Sequence, residues 1–345
     1  MLSAQSFRAL ALLGLFAVLS GVALAAPFKP VYHLAAAWKL PVETYWDYLT
    51  LDASAHRLYI ARDTQIEVLD TRSGARVGEI AGLEDAHGVA LDPKLGRGFA
   101  TSGGQNRVVC FDLKTLKTLG AIRVGNGPDA IAFEPVSGEI FAMNGDGNSV
   151  SVIDAGGKKV LKTIALGGNP ESAIADGQGS VFIAIEGRSQ IAQVSAKTLK
   201  LVHLWATSPG KEPTGLAYDP KSARLFAGCA NQKMIVLSAK TGKIEASVPI
   251  GKGVDAAAFD SGLGLSFTSN GRSGTISIVG ADAQGKPALL ATLSTHSGAR
   301  TLALDPKTHA LYVVAADYKP KKPGARWPEM LAGSARVLKY DLATR

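Results

Sequence analysis

Gly127-Pro128-Asp129-Ala130-Ile131-Ala132-Phe133-Glu134-Pro135, followed by Phe141-Ala142-Met143-Asn144 and Ser149-Val150-Ser151-Val152-Ile153-Asp154, reads as three short strands joined by a turn and a loop. The same phrase recurs along the chain. It stands at Ala86-His87-Gly88-Val89-Ala90-Leu91-Asp92, at Pro170-Glu171-Ser172-Ala173-Ile174-Ala175-Asp176 and at Pro213-Thr214-Gly215-Leu216-Ala217-Tyr218-Asp219. It returns at Val254-Asp255-Ala256-Ala257-Ala258-Phe259-Asp260 and at Ala299-Arg300-Thr301-Leu302-Ala303-Leu304-Asp305, and an early copy is Trp46-Asp47-Tyr48-Leu49-Thr50-Leu51-Asp52. Seven copies 40 to 45 residues apart are the signature of a propeller or a solenoid array.

Each copy opens with an apolar strand that ends in an acid or in Asp-Pro, a turn signal in which Pro presets φ and Asp accepts from the backbone ahead. A second strand follows, opened by an aromatic: Tyr59, Phe99, Phe141, Phe182, Phe226, Phe267 or Tyr312. A third strand and a turn such as Thr71-Arg72-Ser73-Gly74 lead to a fourth strand, for example Val160-Leu161-Lys162-Thr163-Ile164-Ala165-Leu166. Four antiparallel strands per repeat make the blade of a β-propeller. The last copy runs out after its third strand, whereas Val31 to Pro41 looks like a fourth strand with no blade before it. Pairing the two would close the ring and remove an exposed edge. The expected fold is therefore all-β, a seven-bladed propeller closed by an N-terminal strand.

The opening segment stands apart. Arg8 precedes an apolar run from Ala9 to Leu24, and Ala23-Leu24-Ala25 is a small-x-small cleavage signal. Residues 1–25 are expected to be a signal peptide rather than a membrane anchor, leaving 26–345 as one domain without a stable span, periplasmic or secreted. Net charge is +8 and falls by one unit once Arg8 leaves. That charge is spread over turns and favours anionic partners only in general terms. Cys110 and Cys229 fall in copies two and five, too far apart around a ring for a disulfide.

The second strands read Tyr59-Ile60-Ala61-Arg62, Phe99-Ala100-Thr101-Ser102, Phe141-Ala142-Met143-Asn144, Phe267-Thr268-Ser269-Asn270 and Tyr312-Val313-Val314-Ala315. These resemble degenerate copies of the Tyr-Val-Thr-Asn repeat that marks the YncE-like, or YVTN-repeat, seven-bladed β-propellers of exported bacterial proteins. The resemblance spans about 31–345 and departs from the repeat at Ile185 and Cys229, where the Asn is replaced. It implies export and a propeller, and because the family includes a member implicated in binding DNA, it adds weight to a nucleic-acid ligand.

No Gly-x-Ser-x-Gly, His-Glu-x-x-His, Cys-x-x-Cys or P-loop is present. Gly125-Asn126-Gly127-Pro128-Asp129-Ala130 joins two strands, which excludes a dinucleotide fingerprint. Aligning the copies at the residue that opens the first strand gives Asp47, His87, Asp129, Glu171, Thr214, Asp255 and Arg300. In a propeller these would ring one mouth of the central channel, joined on that face by Arg62, Asn144, Glu186 and Asn270 from the loops after the second strands. Such a ring reads three ways: a hydrated polar mouth, an acid/base pair, or a divalent metal site built from Asp129, Glu171, Asp255 and His87. His56, His296 and His309 fall in turns and read as solvated. An insertion at about 317–333 breaks the last copy; its Tyr318, Lys321, Arg326 and Trp327 suit an anionic ligand, single-stranded nucleic acid included. Tyr45 and Trp46 would wall the same pocket.

The sequence thus points to an exported, monomeric, non-enzymatic protein that binds a small or anionic ligand at the channel mouth. Two other functions compete: a metal-dependent hydrolase resembling the propeller lactonases, and an adaptor for a protein partner or single-stranded nucleic acid.

Overall fold

A computed structural model describes residues 29–41, 44–322, 324 and 328–343. The signal peptide expected over 1–25 lies outside them, as do Arg326 and Trp327 of the candidate loop.

The chain is an all-β propeller. Among the described residues, five sheets have four antiparallel strands and one has six. The expected count of seven blades is corrected to six, because the first two sequence copies share one sheet. In that sheet Arg57–Asp70 is one 14-residue strand where two were expected. Arg76–Asp92 is one 17-residue strand that carries the fourth strand of the first copy into the first strand of the second. The two long strands pair antiparallel, with register shifts, from Leu69↔Arg76 through Asp63↔Ala86. The backbone ladder therefore runs through the expected break, and its polar groups are satisfied without a separate blade.

Closure follows the expected route. Tyr32–Lys39 pairs antiparallel with Arg336–Leu342, from Tyr32↔Leu342 to Lys39↔Arg336, and forms the outer strand of the last sheet. Inner strands are covered on both faces by neighbouring sheets; Ser149–Ile153 is buried along its whole length. Outer strands meet water, and Thr118–Arg123 buries only Ile122. The second-strand aromatics fill the spaces between sheets, with Tyr59, Phe99, Phe141 and Phe267 fully buried. At the turns Asp92, Asp219 and Asp305 each accept a backbone N–H from two residues ahead at 2.9–3.0 Å.

Near the axis, hydroxyls stitch several copies to the next. Thr50 donates to Val89 O at 2.7 Å, Thr101 to Asp129 O at 2.7 Å and Thr214 to Val254 O at 2.8 Å. Thr301 donates to Asp47 O at 2.7 Å and joins the last copy to the first. Gly215 allows the closest approach: a Cβ there would stand 2.7 Å from the Ala256 carbonyl carbon.

Both cysteines are buried free thiols in different core clusters, and burial pushes the Cys229 thiol up to about 12. Two of the histidines read as solvated are paired instead. His309 Nδ1 lies 2.7 Å from Oδ2 of the buried Asp260, and His296 Nε2 lies 2.8 Å from Asp317 Oδ1. No helix among the described residues is long and apolar enough to cross a membrane.

Candidate ligand site at the ring mouth

The repeat register delivers the ring. Asp129, Glu171, Thr214 and Asp255 are each the second residue of a first strand: Pro128–Glu134, Pro170–Ala175, Pro213–Asp219 and Val254–Asp260. His87 lies within Arg76–Asp92, and Asp47 and Arg300 stand two residues before Leu49–Asp52 and Leu302–Leu304. Six of the seven side chains converge. His87 Nδ1 is 2.6 Å from Asp47 Oδ2 and 3.8 Å from Asp129 Oδ1. Arg300 reaches Asp47 Oδ1 at 3.3 Å and Asp255 Oδ2 at 3.1 Å, and donates to Trp46 O at 2.8 Å. Glu171 joins through its charge, felt at Tyr48. Thr214 does not join, because its hydroxyl is spent on Val254 O.

Two cations therefore face four carboxylates. Burial is the first effect on Asp129, Glu171 and Asp255 and raises the pKa of each. Asp129 is pushed up to about 7, with His87 opposing and Asp47 and Asp255 adding to the rise. Asp255 also reaches about 7, with Arg300 opposing. Glu171, held up further by Asp129, Asp255 and Glu186, reaches about 9. Burial works against the charge on His87. The Asp47 hydrogen bond and the charges of Asp129, Asp47 and Asp85 outweigh it, lifting the imidazole to about 10. Its other nitrogen, Nε2, lies 3.2 Å from Asp85 Oδ2. With a carboxylate near each nitrogen, His87 is held as an imidazolium that donates from Nδ1 to Asp47.

The floor of the ring is Tyr48, a residue absent from the sequence-derived site. Its ring packs on the apolar cluster of the sheets that carry Asp129 and Glu171. Its hydroxyl oxygen is buried without a hydrogen-bond partner, and burial, then Glu171, Asp129, Asp255 and Asp47, hold the phenol well above its usual range. Asp129 Oδ1 is likewise buried and unpartnered. The signal for Tyr48 was available in the alignment. The residue after each ring position is Gly88, Ala130, Ser172, Gly215, Ala256 or Thr301, all small, and only the first copy has an aromatic.

Other predicted residues sit apart from the ring. Arg62 is fully buried, 3.4 Å from Glu67 Oε2 and donating to Thr44 Oγ1 at 3.3 Å and Thr44 O at 3.2 Å. Asn144 and Asn270 are fully buried pins between second and third strands. Asn144 Nδ2 donates to Ser149 and Ser151 hydroxyls at 3.0 Å, and Asn270 Nδ2 to Thr275 at 3.3 Å and Ser277 at 3.0 Å. Glu186 is half-buried at the rim, where Asn169 Nδ2 donates to it at 3.0 Å. Trp46, expected as a wall, is 4% exposed in the core, whereas Tyr45 is 59% exposed.

The loop folds back on itself. Tyr318 bridges Met330, and the Lys319 N–H donates to Glu329 O at 2.8 Å. The Lys319 ammonium pairs with the Glu329 carboxylate, and Lys322 Nζ stands 3.8 Å from it, so part of the basic charge is answered within the loop. Lys321 is exposed. Tyr318 lies against Gly298, close enough to the ring to interact with the charge of Arg300 and with Tyr45.

Among the described residues, one group of ligand atoms is compact enough for a metal ion: Asp47, His87 and Asp129 offer atoms within 4.8 Å of one another. Glu171 and Asp255, expected as ligands alongside Asp129 and His87, do not join that group.

No family model matches this chain, and no curated protein sequence matches it. Among solved structures it is similar to the hydrazine synthase of Kuenenia stuttgartiensis, with a TM-score of 0.70 and 15% identity over 79% of this chain and 94% of that one. At that identity the likeness extends to the β-propeller fold and no further.

Proposed function

We propose that this chain is an exported, non-catalytic ligand-binding propeller of the YVTN-repeat kind, and that its ring mouth takes a positively charged ligand. The observation that carries this reading is the charge balance of the cup: Asp47, Asp129, Glu171 and Asp255 against His87 and Arg300, with Asp129 Oδ1 and the Tyr48 hydroxyl buried without a hydrogen-bond partner. Desolvated like charges either hold protons or hold a cation, and a bound cation favours the ionised forms of Asp129, Glu171 and Asp255. The same balance speaks against an anion in the ring, so an anionic partner would have to use the 317–331 loop.

A second reading, a divalent ion held by Asp47, His87 and Asp129, is favoured by their compact grouping. Imidazole and two carboxylates suit a transition metal, which would polarise a carbonyl or activate water in a hydrolase. It requires His87 to give up the proton that Asp47 now holds on Nδ1.

Thermal unfolding with added ligands tests the proposal. Organic or metal cations should raise the melting temperature of the wild-type protein and lose most of that effect in Asp129→Asn. Citrate, phosphate and an oligonucleotide should leave it unchanged. Stabilisation by the anions with indifference to every cation would refute it.

A further inference from the structure

Resting on the cation-binding reading above, we infer that the ligand is an organic cation carrying a primary ammonium on an alkyl chain, seated with its three N–H donors on Asp129, Glu171 and the Tyr48 hydroxyl, beside the Arg300-paired Asp255.

Three observations lead there. First, the acids are spread too widely for one metal ion. Only Asp47 and Asp129 join the compact group, and its third member, His87, has a carboxylate at each ring nitrogen, 2.6 Å from Asp47 and 3.2 Å from Asp85. Metal coordination through His87 would break one of these contacts. Glu171 and Asp255 then remain as acceptors with one cation between them, Arg300 at 3.1 Å from Asp255. An ammonium has three donors on a soft tether and can satisfy acceptors that no single coordination sphere spans.

Second, the unpartnered atoms demand hydrogen-bond donors and acceptors rather than bare charge. Asp129 Oδ1 and the Tyr48 hydroxyl are both buried without partners. A buried polar group left unpaired is costly, and a ligand N–H that reaches it recovers that cost. The phenol oxygen accepts from the ammonium. A quaternary ammonium lacks the N–H groups to do this.

Third, the cup has aromatic surfaces around its acids. Tyr48 forms the floor, while Tyr318 and the exposed Tyr45 stand on the side of Arg300. Carboxylates with tyrosine rings beside them receive both an ammonium and the methylenes next to it.

The test is titration calorimetry on the mature full-length protein at pH 8 with 1,4-diaminobutane, tetramethylammonium and calcium chloride, repeated on Glu171→Gln and Tyr48→Phe. The expected result is one-to-one binding of diaminobutane, at least tenfold weaker in Glu171→Gln and several-fold weaker in Tyr48→Phe, with no heat from tetramethylammonium. Melting curves on both variants confirm that they fold, and Asp255→Asn serves if either does not. Calcium binding without diaminobutane binding would overturn the organic ligand while leaving the cation reading intact. Silence toward both would overturn both. Diaminobutane binding that is equal in wild type and Glu171→Gln would place the amine elsewhere on the surface and also overturn the inference.

Discussion

Glu171 shows how one side chain sets the pH response of the protein. Its carboxyl holds a proton up to about pH 9 in the fold, against an ordinary value near 4.5, because burial and the neighbouring acids oppose its charge. Between those values the folded protein keeps a proton that the unfolded chain has lost, so raising the pH favours unfolding. Asp129 and Asp255 act in the same direction between about 4 and about 7. His87, raised to about 10, contributes stability that is complete below about 6.5 and lost as the pH climbs through 10. All four groups make the ligand-free protein less stable from pH 5 to pH 9. Glu171→Gln should be near neutral at pH 5 and should stabilise by several kcal/mol at pH 9, read as a higher melting temperature than the wild type at that pH. A melting temperature that falls equally with pH in both proteins would contradict this. Ligand binding should release protons, visible as a dependence of the calorimetric heat on buffer ionisation enthalpy. The ring itself was legible in the sequence, because the repeat assigns one residue per copy to one place. Tyr48 was equally visible as the single bulky residue among six small ones, yet a search for charged groups passes over it. The partners that consume Thr214, Asn144 and Asn270 were not legible, since a residue's polarity does not say which way its hydrogen bonds run.

At the scale of strands, the contacts near the axis should be the sensitive ones. Thr301 ties the last copy to the first through Asp47 O at 2.7 Å and is fully buried. Thr301→Val leaves that carbonyl without its donor and should cost ~1–2 kcal/mol in urea unfolding, while Thr301→Ser should recover most of it. Because the bond also positions Asp47, the valine variant should weaken cation binding as well. Gly215→Ala forces a methyl group to within 2.7 Å of the Ala256 backbone and should cost ~1–3 kcal/mol, a loss readable in the same experiment. Strand type and order were legible from the period-two pattern and the Asp-Pro turns. The fusion of strands in Arg57–Asp70 and Arg76–Asp92 was not, because each copy was divided by analogy with its neighbours. Asp63↔Ala86 is a long-range pairing, and local sequence says nothing of whether a ladder stops or continues there.

For the whole molecule, the difference between seven sequence copies and six sheets separates two properties that repeats usually combine. The repeat fixes what each segment contributes to the axis, and the ladder fixes how many sheets those segments form. Closure was legible in the sequence because a strand without a blade and a blade without a strand stood at opposite ends of the repeat array. Removing residues 29–40 would expose the edge of Arg336–Leu342, and light scattering should then show association where the full chain shows none. That single pairing also governs the order of assembly during synthesis. Among the described residues, Tyr32–Lys39 is the first strand in chain order, and its partner is the last. The early strand must wait, unpaired, while every other sheet emerges. The ring can be sealed only after translation has passed Leu342, so closure comes after every other sheet has been made and leaves the nascent chain dependent on whatever shields one waiting strand.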